Sequence, residues 1–71
     1  MKVGDKVKVV ESDYYSDNLQ PGNTGVIMKW HGSNDMETGI WSVRMDEGEP
    51  DGGEGIGWAF EPYRLEVIEP S

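Results

Sequence analysis

Hydrophobic positions along this chain recur with a period of two, in short runs cut by glycine, proline and acidic residues. From Gly4 to Val10, Val7 and Val9 share one face while Lys6 and Lys8 share the other, the period of a half-buried strand. The polar stretch from Glu11 to Gly22 is a long excursion that turns back at Pro21-Gly22. Thr24 to His31 predicts a second strand whose apolar run leaves its inward face open; placing Ile27 and Trp30 inward together requires a bulge. Gly25 marks either a bulge or a close approach of two backbones. Gly32 to Gly39 reads as a hairpin-type connection, and Ile40 to Met45 as a third strand with Trp41, Val43 and Met45 on one face. Asp46 to Gly55 holds no large apolar residue and is expected to be an exposed loop. Ile56 to Phe60 predicts the fourth strand, Glu61-Pro62-Tyr63-Arg64 one tight helical turn, and Leu65 to Ile68 the last strand. With no long helix between them, such strands bury a core in a small chain only by rolling up. The expectation is a single all-β domain over residues 1–71, a five-stranded barrel with one short 3-10 turn before the last strand.

Composition narrows this further. At 71 residues the chain is near the lower size limit for a core without staples, and it has no cysteine, so disulfides and thiolate metal sites are excluded. No apolar run reaches the length of a membrane span or a signal-peptide core, so the expected location is the cytoplasm, that of the host if a phage encodes the chain. Three Trp, three Tyr and one Phe compensate for a modest hydrophobic content by burying large areas per residue. The formal net charge of −8 repels phosphate backbones and anionic membranes and favours basic partners.

Gly4-Asp5-x-Val7-x-Val9, Gly22-x-Thr24-Gly25-x-Ile27, Trp41-x-Val43 and Trp58-x-Phe60-x-Pro62-x-x-Leu65-x-Val67 together resemble the small SH3-like, KOW-type modules of bacterial and phage proteins. The resemblance spans nearly the whole chain and implies an SH3-like barrel; its motifs are structural and imply little about activity. Glu11-Ser12-x-Tyr14-Tyr15 and the ending from Phe60 to Val67 give a remoter similarity to the peripheral barrel subunit of photosystem I. That family is basic where it docks acidic ferredoxin, and this chain is acidic.

Catalysis finds no support in the residues, and no cofactor is expected. His31 is the only histidine, at a strand end, and the serines lie in loops or at an outward strand position with no histidine pairing apparent from the sequence. Gly53-Glu54-Gly55-Ile56-Gly57 lacks the lysine and following helix of a phosphate cradle. Asp46-x-Gly48-x-Pro50 lacks the alternating ligands of a calcium loop.

Two surfaces stand out instead. The acidic loop carries Asp46, Glu47, Glu49, Asp51 and Glu54, and no basic residue lies between Arg44 and Arg64. Its charge keeps a small barrel soluble or docks a basic protein. In an SH3-like barrel the first loop and the turn before the last strand lie side by side, which would gather Tyr14, Tyr15 and Tyr63 over Trp58 or Trp41. Rimmed by Glu11, Asp13, Asp17 and Glu61, that ledge suits an extended peptide bearing Arg or Lys. The leading expectation is a monomeric, non-catalytic interaction module for a basic protein or peptide partner. The alternatives are an inhibitor whose carboxylates imitate DNA and a KOW-like nucleic-acid-binding module resting on the small stripe of Lys6, Lys8 and Lys29.

Overall fold

The computed structural model describes residues 1–32, 39–48 and 57–71. Strands β1 (Lys6–Val9), β2 (Thr24–His31), β3 (Ile40–Met45), β4 (Trp58–Phe60) and β5 (Leu65–Glu69) form one antiparallel sheet in the order β4-β3-β2-β1-β5. The described residues contain no α-helix, only 3-10 turns at Asp17–Leu19 and Pro62–Arg64. The second is the expected turn before the last strand; the first, within the long loop, was not anticipated. The sheet is open, with β4 and β5 as its edges.

β1 is shorter than its alternation suggested because Val3 and Gly4 form a turn, closed by the Asp5 N–H donating to the Lys2 carbonyl. The Asp5 side chain, though acidic, is only 3% exposed. Its carboxylate accepts from the Ser71 N–H at 2.8 Å and the Lys2 N–H at 2.9 Å, so it staples the two chain ends together. Those bonds, the Ser71 one foremost, hold its pKa below the ordinary value.

β2 contains the bulge that its apolar run required. Ile27 lies opposite Val43 and Trp30 opposite Trp41, with the register shifting between Ile27 and Lys29, so Met28 is the extra residue. Ile27 is thereby fully buried and Trp30 packs against Trp41 with ring centroids 4.6 Å apart. The large Trp30 ring lies over Gly39, where a Cβ would collide with it. Gly25 serves the other purpose foreseen for it. A Cβ there would sit 2.5 Å from the Arg44 carbonyl oxygen and 2.8 Å from Val43 Cγ1.

The core takes Val7 and Val9 from β1, Ile27 from β2, Trp41, Val43 and Met45 from β3, Phe60 from β4 and Leu65 from β5. Leu19, wholly buried, is the one member of that cluster supplied from outside the strands. Fully burying an aliphatic side chain of this size contributes about 1.5–3 kcal/mol, so Leu19 pins the long loop to the sheet. The predicted fourth strand began earlier, at Ile56; that residue lies outside the described ones, and β4 starts at Trp58.

Candidate functional site

The first loop leaves β1 at Val10 and returns to β2 at Asn23. Its polar residues would stay solvated unless something fastened them, and three contacts do so. Tyr14 is half-buried, and its hydroxyl donates to the Ala59 carbonyl of β4 at 2.8 Å. Its ring meets Trp58 and Phe60 edge-on, with centroids 5.5 and 5.4 Å away. Asn18 Nδ2 donates to the Glu47 carbonyl at 3.1 Å, tying the first 3-10 turn to the start of the acidic loop.

Arg64 makes the third fastening. Its Nε donates to Glu61 at 2.6 Å and its Nη2 to Asp13 at 2.7 Å, while Nη1 faces Glu11 at 3.8 Å. The guanidinium carbon sits 5.0 Å from the centre of the Tyr63 ring. The Arg64 carbonyl accepts from the Val10 N–H at 2.8 Å, so both backbone and side chain sew the loop to the turn before β5. The Arg64 side chain is 12% exposed, against 85% for Asp13 and 59% for Glu11. Hydrogen bonding to Arg64 and then to Tyr63 holds Glu61 below the ordinary carboxylate value, and the bond to Glu61 chiefly raises Arg64.

The loop and the turn before the last strand do lie side by side, as the sequence led us to expect. The tyrosines divide differently from a common ledge. Tyr14 points inward and packs the loop onto β4, over Trp58 and not Trp41; Tyr15 is fully exposed; Tyr63 is 62% exposed and backed by the Arg64 guanidinium. Of the acidic rim, Glu11, Asp13 and Glu61 all face that one guanidinium.

In the acidic loop, Asp46 bonds to Lys6 Nζ at 2.8 Å and accepts from the Thr24 hydroxyl at 2.6 Å. The Lys6 bond is the larger cause of its lowered pKa, and reciprocally raises that of Lys6. Glu47 is exposed and borders a shallow cleft of about 100 Å³ with Gly22, Asn23 and Thr24. Glu49, Asp51 and Glu54 lie outside the described residues. Among the described residues no group of three or more His, Asp or Glu is arranged to hold a metal ion. No described helix is long and apolar enough to cross a membrane.

The cations have gone elsewhere. Lys6 and Arg44 both flank Val26 across the sheet, Lys8 pairs with Thr24, and the Met28 bulge brings Lys29 opposite Ser42. By strand alternation these four of the six basic residues share the outer face of the sheet. His31 is exposed at the end of β2, and its Nε2 lies 2.7 Å from the hydroxyl of Ser42, which is buried. The fold thus forms a His–Ser pair that spacing along the chain had not suggested.

Leu19 and Arg64 are the residues whose importance the sequence reading missed. Leu19 was the lone aliphatic residue in a polar excursion, and that isolation was its signal. Arg64 was the lone base in a long acidic segment. No family model, curated protein or solved structure matches the chain.

Proposed function

We propose that the chain is a non-catalytic interaction module that docks a basic protein partner along one acidic rim. The observation that carries this reading is the fastening of the first loop to both acidic segments at once. Arg64 links it to Glu61 on one side and Asn18 links it to Glu47 on the other. Glu11, Asp13, Asp17, Glu47 and Glu61 therefore belong to a single fixed border, with Tyr15 and Tyr63 exposed along it. Arg64 offsets only one of those charges, because most of the chain's cations lie on the outer face of the sheet. A border of one sign on a rigid frame raises the encounter rate of oppositely charged partners and orients them before contact.

For the frame we propose an SH3-like barrel. The strand order β4-β3-β2-β1-β5, the long first loop and the 3-10 turn joining β4 to β5 support that reading.

The test is fluorescence anisotropy with an Arg- and Lys-rich peptide, an acidic peptide and a DNA duplex. The wild-type chain is compared with the triple variant Asp13→Asn, Asp17→Asn, Glu47→Gln at several salt concentrations. The basic peptide should bind the wild type, weaken as salt rises, and lose most of its affinity in the variant. Duplex binding at physiological salt, or equal affinity of both proteins for the basic peptide, would sink the proposal.

A further inference from the structure

An open antiparallel sheet exposes a row of unpaired backbone groups at each edge, and such edges recruit other strands unless something blunts them. β5 carries its own protection. Its pairing with β1 slips a register step, Glu69 opposite Lys6 but Val67 opposite Val7, and this bulge bends the strand at Ile68. Glu66 and Glu69 add like charges that two copies of β5 would bring together. β4 has none of these devices. It reads Trp58-Ala59-Phe60, with no charge, no proline and no register shift against β3.

Among the described residues, what covers β4 is Tyr14. Its hydroxyl takes the Ala59 carbonyl, and its ring lies edge-on to the two aromatic side chains flanking Ala59. In a strand, a residue's N–H and C=O leave on the same side. Since the Ala59 carbonyl goes to a residue of the first loop and not to β3, its N–H also faces the open side.

We infer that the first loop is a strap that closes the β4 edge, with Tyr14 as its latch, and that the edge beneath it fits the β4 strand of a second copy. A short neutral strand can pair with itself antiparallel about a two-fold axis at Ala59 without opposing like charges, which β5 cannot do. The latch holds while the strap is fastened at Asp13 and Asn18 on either side of it. This inference stands independently of the partner reading above.

Sedimentation velocity over a rising concentration series at physiological salt tests it. The wild type should remain a monomer. Tyr14→Phe keeps the ring but loses the competing hydroxyl bond, and should sediment toward the dimer at the upper concentrations of the series, where the wild type is still a monomer. Tyr14→Ala should shift further toward the dimer. Adding Ala59→Pro to either variant removes the outward N–H without touching a ladder bond, and should restore the monomer. Circular dichroism establishes that each variant is folded; if Tyr14→Ala is not, Tyr14→Phe decides alone. Folded variants that sediment like the wild type overturn the inference. So does association that survives Ala59→Pro, or a wild type that already dimerises.

Discussion

Replacing Leu19 by alanine should destabilise the chain by about 3 kcal/mol, within the range found when buried leucines are truncated. The side chain is wholly inaccessible and meets the core from the first loop alone, so no strand neighbour can slide over to fill the space. At ~0.05–0.15 kcal/mol per residue, a chain this long holds ~4–10 kcal/mol in total, so the loss would be a large share. For a domain of this size each kcal/mol moves the midpoint by ~4–8 °C, which puts the expected drop at ~12–24 °C. Urea titration followed by tryptophan fluorescence reads the loss directly, with thermal circular dichroism as the second measure. Tyr15→Ala is the internal control. That side chain is fully exposed four residues away, and its removal should change stability by no more than ~0.5 kcal/mol. A Leu19→Ala loss below ~1 kcal/mol would mean that the loop is not pinned through the core.

Gly25→Ala forces a methyl group between β2 and the Arg44 backbone and should cost ~1–3 kcal/mol in urea titration; an unaffected midpoint would show that the strands do not approach as described. Arg64→Lys keeps the charge but cannot serve Glu61 and Asp13 in two directions. Amide exchange from Ser12 to Tyr14 should quicken, and unchanged exchange would contradict the fastening role. Asp5, Asp46 and Glu61 all have folded pKa values below their ordinary 3.8, 3.8 and 4.5. Their contributions are complete above those values and vanish as pH falls through the lower folded ones, so the urea midpoint should hold near neutrality and drop below about pH 4. Lys6 and Tyr63 are raised above 10.5 and 10.0, so their contributions are intact below those values and disappear as pH climbs past the folded ones. A midpoint that rises on acidification to about pH 3 would refute the carboxylate assignments.

The strands were legible because each needs only a local alternation. Val7 and Val9, or Trp41, Val43 and Met45, announce their face within a few residues, and the structure places them there. β2 was half-legible: the two apolar phases on either side of Met28 implied a bulge, and the β3 register supplies it. The first loop was opaque because its order comes from distant partners. Tyr14 finds Ala59 forty-five residues on, and Asp13 finds Arg64 fifty-one residues on, where no periodicity reaches. For the same reason Asn18 of the first loop meets Glu47 at the start of the acidic loop, and a histidine and a serine apart in sequence meet across β2 and β3.

The bulge at Met28 makes β2 a strand with two phases. Odd-numbered residues Gly25 and Ile27 point to the core before it, and even-numbered Trp30 does so after it. That half-period slip is stored in the number of residues, not in the identity of any side chain. Many substitutions at Met28 therefore leave the slip intact, whereas drawing Met28 into the ladder, with no residue left over, would send Trp30 outward and turn Lys29 and His31 toward the core. Parity, more than chemistry, is what this position encodes.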